Sequence, residues 1–200
     1  MKRTAIGVRM HSGWGALVAV SSTDGSVEIV GRRRIDLISG GAAAAKQPYH
    51  YARNLELSEA EKVLANCFES SRSLAFAAVK DVVDALRSRQ YGVICSAVIQ
   101  ASSRPLPPLP KILGSHALIH TAEGEFFRAV FRRACEELEL PVTGIREREL
   151  NERVDTAFGK AASRIRQQIS AFGRTLGPPW TQDQKTAALA GLLALVEKQK

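Results

Sequence analysis

Residues Tyr91-Gly-Val-Ile-Cys-Ser-Ala-Val-Ile99 are apolar at both alternating sets of positions, and this stretch limits the architecture more than any other. A strand that is apolar on both faces must be covered on both, as an interior strand is when helices pack above and below its sheet. The rest of the chain supplies the neighbours and the covers. Residues 4–9, 15–21 and 26–38 are rich in Val and Ile and are separated by His11-Ser-Gly-Trp14 and Ser22-Thr-Asp-Gly25, which are turn compositions. They predict three antiparallel strands in a meander.

Four helices follow from apolar positions recurring at helical spacing. Ser58-Glu-Ala-Glu61 reads as a capping box opening a long helix to Gln90, and a second runs from Thr121 to Leu140. A third carries Leu150, Val154, Phe158, Ala161, Ile165, Ile169 and Phe172 on one stripe. The last is capped by Thr181 and Gln184 and reaches Val196. Between the second and third, Pro141 to Arg146 is short and β-prone, at the distance that a right-handed crossover to a parallel strand needs. Ser39 to His50 has no period and is expected as an exposed, mobile loop; Ser102 to Pro110 holds four prolines and is expected as an extended one. The expected fold class is therefore α/β: a mixed sheet of three antiparallel strands then two parallel ones, flanked by four helices, in one domain over residues 1–200.

An apolar content of 45% suffices for a continuous core, and the net charge of +8 makes a polyanion the first partner to consider, against the plainer reading of a solvated basic surface. The apolar run after the amino terminus is broken by Arg9 and His11, so no signal peptide is expected, and no apolar run approaches membrane-spanning length. Cys67, Cys95 and Cys135 lie far apart among apolar neighbours, as reduced, buried thiols of a cytoplasmic protein would. Oligomeric state is not legible.

The order of elements resembles the ribonuclease H-like fold, and Ile6-Gly-Val-Arg-Met-His-Ser-Gly-Trp-Gly-Ala-Leu-Val-Ala-Val20 is similar to the first hairpin of its Holliday-junction-resolvase (RuvC-like) branch. The resemblance implies carboxylates on the first strand, after the fourth strand and on the last helix, gathered around divalent metal ions that activate water against a phosphodiester. This chain departs from that pattern at each place. The corresponding residues are Arg9, Gln100 and Lys185 or Thr186; Asp183, close to the last position, would restore one acid but not three. The related actin-like ATPases also carry paired glycines, as Gly13 and Gly15 do here, but need two such lobes where this chain has room for one.

The densest group of reactive residues is Gly114 to Arg128, read as a loop entering a helix. His116 and His120 are four apart, and with Glu123 they form a candidate metal set, while Glu125 joins them as a candidate catalytic group. The duller reading has the acids serving a helix amino terminus and the histidines packing. In open α/β sheets ligands gather beyond the carboxyl ends of the parallel strands, so Arg9, His11, Ser12, Gly13, Arg128 and Lys185 are candidate ligand-binding residues on the same cleft. Arg32-Arg33-Arg34 form either an anion-binding stripe or a charged edge strand, with Arg33 facing opposite to its neighbours. Arg104, Pro107 and Pro110 spell an SH3-ligand pattern, or a rigid spacer.

Three functions follow. One is a module binding nucleic acid or another phosphate ligand without the usual two-metal nuclease centre. Another is a divalent-metal-dependent phosphoester hydrolase with its centre relocated to the histidines and glutamates. The last is a subunit of a larger assembly.

Overall fold

The structure is a computed structural model and describes residues 1–23, 25–40, 43–101 and 105–198. Arg104 of the proline-rich pattern lies outside the described residues. Strands β1 (Lys2–His11), β2 (Trp14–Thr23) and β3 (Ser26–Asp36) form the expected meander, with His11 opposite Trp14 and Thr23 opposite Ser26. The first turn depends on Gly13, whose φ of 80° lies where glycine is favoured and where an added Cβ would stand 2.7 Å from Ile38 Cδ1.

The segment after β3, expected to be an irregular loop, instead contains two short helices, α1 (Ala43–Lys46) and α2 (Pro48–Ala52). Pro48 stands at the first helical position of α2, where its missing N–H costs nothing. Helix α3 (Leu57–Ser88) begins one residue before Ser58, with Glu56 at the cap position and no side-chain cap, so the capping box does not form. Ala60 and Leu64 are buried beside Ala52, and the Ala60 amide donates to the Glu56 carbonyl at 2.8 Å, which closes the first helical turn ahead of Ser58.

Strand β4 (Tyr91–Gln100) runs parallel to β1, with Val98 level with Val8, and β5 (Val142–Arg146) runs parallel to β4. The order β3-β2-β1-β4-β5 puts β4 inside the sheet, which is why both of its faces are apolar. The proline-rich stretch ends in a short helix, α4 (Leu109–Leu113). Helix α5 (His116–Glu137) starts five residues earlier than Thr121, because the Ser115 hydroxyl accepts from the Leu118 amide and caps it. The third expected helix is two, α6 (Leu150–Phe158) and α7 (Ala162–Leu176). The break falls at Gly159, with φ 51°, and redirects the chain so that Val154, Ile165 and Ile169 all meet one core. Helix α8 (Gln182–Glu197) carries the expected capping box of Thr181 and Gln184.

The sheet has a core on each face. Ile6, Val8, Leu17 and Val98 pack with Phe127 and Phe131 of α5 and Val79 of α3; Ala5, Val18, Val20 and Ala97 pack with α8 and the inner sides of α6 and α7. The arginine run of β3 alternates as its pleat demands. Arg32 donates to the carbonyls of Leu176 and Gly177 at 2.7 and 2.9 Å, tying down the end of α7, whereas Arg33 turns the other way to Asp81 of α3 at 3.8 Å. Among the described residues no helix is long and apolar enough to cross a membrane.

Helix α8 comes so near β1 that a Cβ on Gly7 would stand 1.8 Å from the Ala187 carbonyl oxygen. The obstacle is backbone, so no side-chain rotation relieves it. Gly7→Ala is expected to destabilise the fold by at least about 2 kcal/mol, read as a shift in the midpoint of chemical denaturation. The cysteines provide a second check. Burial pushes the thiol of Cys95 up to about 11 and that of Cys135 up to about 12, from an ordinary value of 9.0. Both stay protonated in the folded state while the unfolded chain ionises. Their contribution to stability is therefore complete below pH 9 and is lost as pH rises to about 11 and 12, a decline that denaturation midpoints measured across the alkaline range will show.

Candidate functional site

Along β1, Ile6, Val8 and Met10 face α3 and α5, while Ala5 and Gly7 lie beneath α8. Arg9 and His11 continue the second set and emerge at the first turn of α8. There Asp183 receives both: Arg9 Nη1 donates to Oδ1 at 2.9 Å, and His11 Nε2 lies 3.0 Å from Oδ2. The other arm of the Arg9 guanidinium reaches the Glu147 carboxylate at 3.0 Å, in the 3₁₀ turn after β5. The His11 ring stacks on Trp14, with centroids 4.3 Å apart and planes 11° from parallel, and the Arg34 guanidinium lies 4.2 Å from the Trp14 ring centroid.

The residues present do not fit a two-metal centre. Such a centre needs several carboxylates with uncompensated charge. Here the guanidinium of Arg9 stands between Glu147 and Asp183 and pairs with both of them, occupying the place a cation would take. Gln100 ends β4 with its carboxamide against Gly144. Lys185 is two residues beyond Asp183, about 200° round the helix, and among the described residues it pairs with none of these groups. Ser12 is exposed in the β1–β2 turn, and the Gly13 carbonyl accepts from the Leu37 amide at 2.8 Å.

Arg128 approaches the same end of the sheet from the opposite face. Its Nε donates to the carbonyl of Ile99 at 3.0 Å, Glu125 lies 3.6 Å from its Nη1, and Glu125 also accepts from Arg132 at 2.7 Å. Burial lowers the pKa of the Arg128 guanidinium below its ordinary value, while Glu125 opposes that shift. Arg128, Glu125, His120 and Ala101 border a cleft of about 340 Å³ that neither Arg9 nor His11 lines. The expectation of one cleft shared by the first turn and the histidine segment is thus corrected. Successive side chains of β1 alternate across the sheet, so the two groups share an end but not a face.

The histidines form a separate cluster. His116 and His120 lie one turn apart on α5 with their Nε2 atoms 3.2 Å apart, and His50 of α2 joins them, its ring centroid 4.8 Å from that of His120. One nitrogen from each of the three falls within 4.8 Å of the others. Glu123, placed in the metal set from sequence, stands behind the cluster: it is only 4% exposed, and its Oε1 accepts from the amides of Tyr49 and His50 at 2.8 and 3.0 Å and lies 3.2 Å from His50 Nδ1. Its Oε2 is buried without a partner. Glu125 faces Arg128 and Arg132 instead. Sequence reasoning missed His50 and Glu147. The Pro48 that opens α2 was the one local sign that the stretch around His50 was ordered.

No protein-family model matches the sequence, and no curated protein matches it. Among solved structures, the chain is similar to Thermus thermophilus RuvC in complex with a Holliday junction substrate. The TM-score is 0.52 at 10% identity, covering 98% of this chain and 96% of the other. A second structure of Thermus thermophilus RuvC gives a TM-score of 0.51 at 10% identity with the same coverage. The fold is ribonuclease H-like. Within this ribonuclease H-like frame the missing acids are a difference of charge at fixed positions, which can be reversed. Arg9→Asp would place a third carboxylate beside Glu147 and Asp183. It is expected to bind Mn²⁺ at least about tenfold more tightly than the native chain at this face, read as paramagnetic broadening of amides in β1 and the first turn of α8.

Proposed function

We propose that this ribonuclease H-like domain binds nucleic acid through its phosphate backbone and does not hydrolyse it. The observation that carries the reading is on α7. Ser163, Arg164, Gln167, Ser170 and Arg174 are all exposed and follow helical spacing along one side, opposite the buried Ile165 and Ile169, and Lys160 is exposed in the 3₁₀ turn just before the helix. Residues 159–182 contain no acid at all. Among the described residues Lys160, Arg164 and Arg174 form no ion pair, whereas Arg166, off the stripe, is held by Asp155 at 2.7 Å. At 1.5 Å per residue the part of the stripe from Ser163 to Arg174 is about 16 Å long, and it presents donors throughout. Gln167, Ser170 and Arg174 border a shallow concavity in it. Such a surface suits a repeating phosphate backbone rather than base edges, and few aromatic side chains accompany it.

The carboxyl-end rim, favoured from sequence as the anion site, supports the reading less well. Arg9, Arg128, Arg132 and Arg146 there face Glu125, Glu147, Glu149 and Asp183, so its charges cancel internally. The same pairing supports the absence of turnover, because Arg9 engages both carboxylates and supplies no activated water.

Binding to a fluorescent DNA duplex is expected to weaken with salt, with a logarithmic slope of about −2.7 if three phosphates are engaged. Arg164→Gln with Arg174→Gln should flatten that slope by about 1.8 and leave the circular dichroism spectrum unchanged. The duplex should remain intact with Mg²⁺ present. A flat salt dependence in the native protein, or an unchanged slope in the variant, would remove the α7 reading.

A further inference from the structure

We propose that His50, His116 and His120 bind one divalent transition metal ion of the zinc class, with Glu123 as the carboxylate that orients His50. This site is independent of the α7 surface.

The donors are three imidazoles, and among the described residues neither a thiolate nor a carboxylate joins them. Such a set suits zinc, cobalt, nickel or copper and suits magnesium or calcium poorly. The spacing agrees. Zinc–nitrogen bonds of about 2.0–2.1 Å in a tetrahedral arrangement place two ligand nitrogens roughly 3.3 Å apart, and the Nε2 atoms of His116 and His120 are 3.2 Å apart. That pair is set by a single helix, since residues four apart share a face. In the metal-free protein the same distance serves an N–H···N hydrogen bond, so the pair is held in place before an ion arrives.

His50 is oriented from behind. Its Nδ1 donates to Glu123, which leaves Nε2 as the ring nitrogen available to a metal, in the carboxylate–histidine–metal arrangement that raises ligand basicity and fixes the tautomer. Glu123 is itself anchored by two backbone amides of α2. A nearly buried acid that spends one oxygen on the ring and backbone of a histidine, and leaves the other without a partner, is costly unless it serves that histidine.

The three nitrogens already lie within 4.8 Å of one another, and His116 and His120 are exposed, so their rings are free to close the remaining distance. Three protein ligands leave a fourth position for water or an anion, and His120 also borders the cleft of Glu125 and Arg128. The ion would also join α2 to α5.

The deciding experiment titrates the full chain with Zn²⁺ and with Co²⁺. One equivalent should bind, and the cobalt form should show the visible absorption of a tetrahedral site. The exposed pair His116→Ala with His120→Ala, checked for folding by circular dichroism, should lose at least about a hundredfold in affinity; Glu123→Gln should lose ten- to a hundredfold while keeping one equivalent. As a second readout, Zn²⁺ should slow proteolysis within residues 43–55 of the native chain and leave the rate in His50→Ala unchanged. Undiminished binding in the double variant, an octahedral cobalt spectrum, or no saturable binding below about 100 μM Zn²⁺, equivalent to about 5.5 kcal/mol, would overturn the proposal.

Discussion

Helix α8 rests on β1 at a separation that only a pair of glycines allows. Gly7 and Gly191 face each other there, and a Cβ on either would meet the other's backbone or that of the neighbouring turn within 2.9 Å. Much else follows from this approach. It lets an almost wholly buried helix, from Thr186 to Leu195, fill the space above β1, β2 and β4. It also brings the capped first turn of α8 level with the end of β1. Asp183 therefore meets Arg9 and His11, and the charge at that end of the sheet is decided by helix-to-strand packing as much as by residue identity.

That packing separates the two candidate sites onto opposite faces of the sheet. On the α8 side, the Arg9 guanidinium lies between Glu147 and Asp183 and pairs with both. On the α5 side, a cluster of three histidines stands beyond the end of β4, backed by a buried glutamate. The sheet lies between them. The arginine–carboxylate cluster and the histidine cluster are thus spatially independent.

Much of the fold was legible in the residues. The two-faced apolar pattern of Tyr91–Ile99 required an interior strand, the Val- and Ile-rich runs required a meander, and the alternation of Arg32 and Arg33 across β3 required opposite partners. Boundaries were less legible. Ser58 has the spacing of a capping box, but the bond from the Ala60 amide to the Glu56 carbonyl starts the helix earlier; Ser115, outside the apolar period of α5, starts that helix early enough to carry both histidines. The candidate site was legible in halves. His116 and His120 could be paired from their spacing because a helix makes residues four apart into neighbours, but His50 lies 73 residues before Glu123 in a stretch without period.

The sequence by itself determined the fold class, the covered central strand, the loss of the expected acids and the pairing of two histidines. All of these are properties of neighbouring residues, repeated at the period of a strand or a helix. Only the tertiary structure decided that Arg9 would be held by an aspartate 174 residues away and that Glu123 would stand behind a histidine rather than beside two. It also decided that the first turn and the histidine segment would lie on opposite faces. Such contacts depend on how far a helix can approach a sheet and on which side of the pleat a residue falls, and neither is written in local spacing.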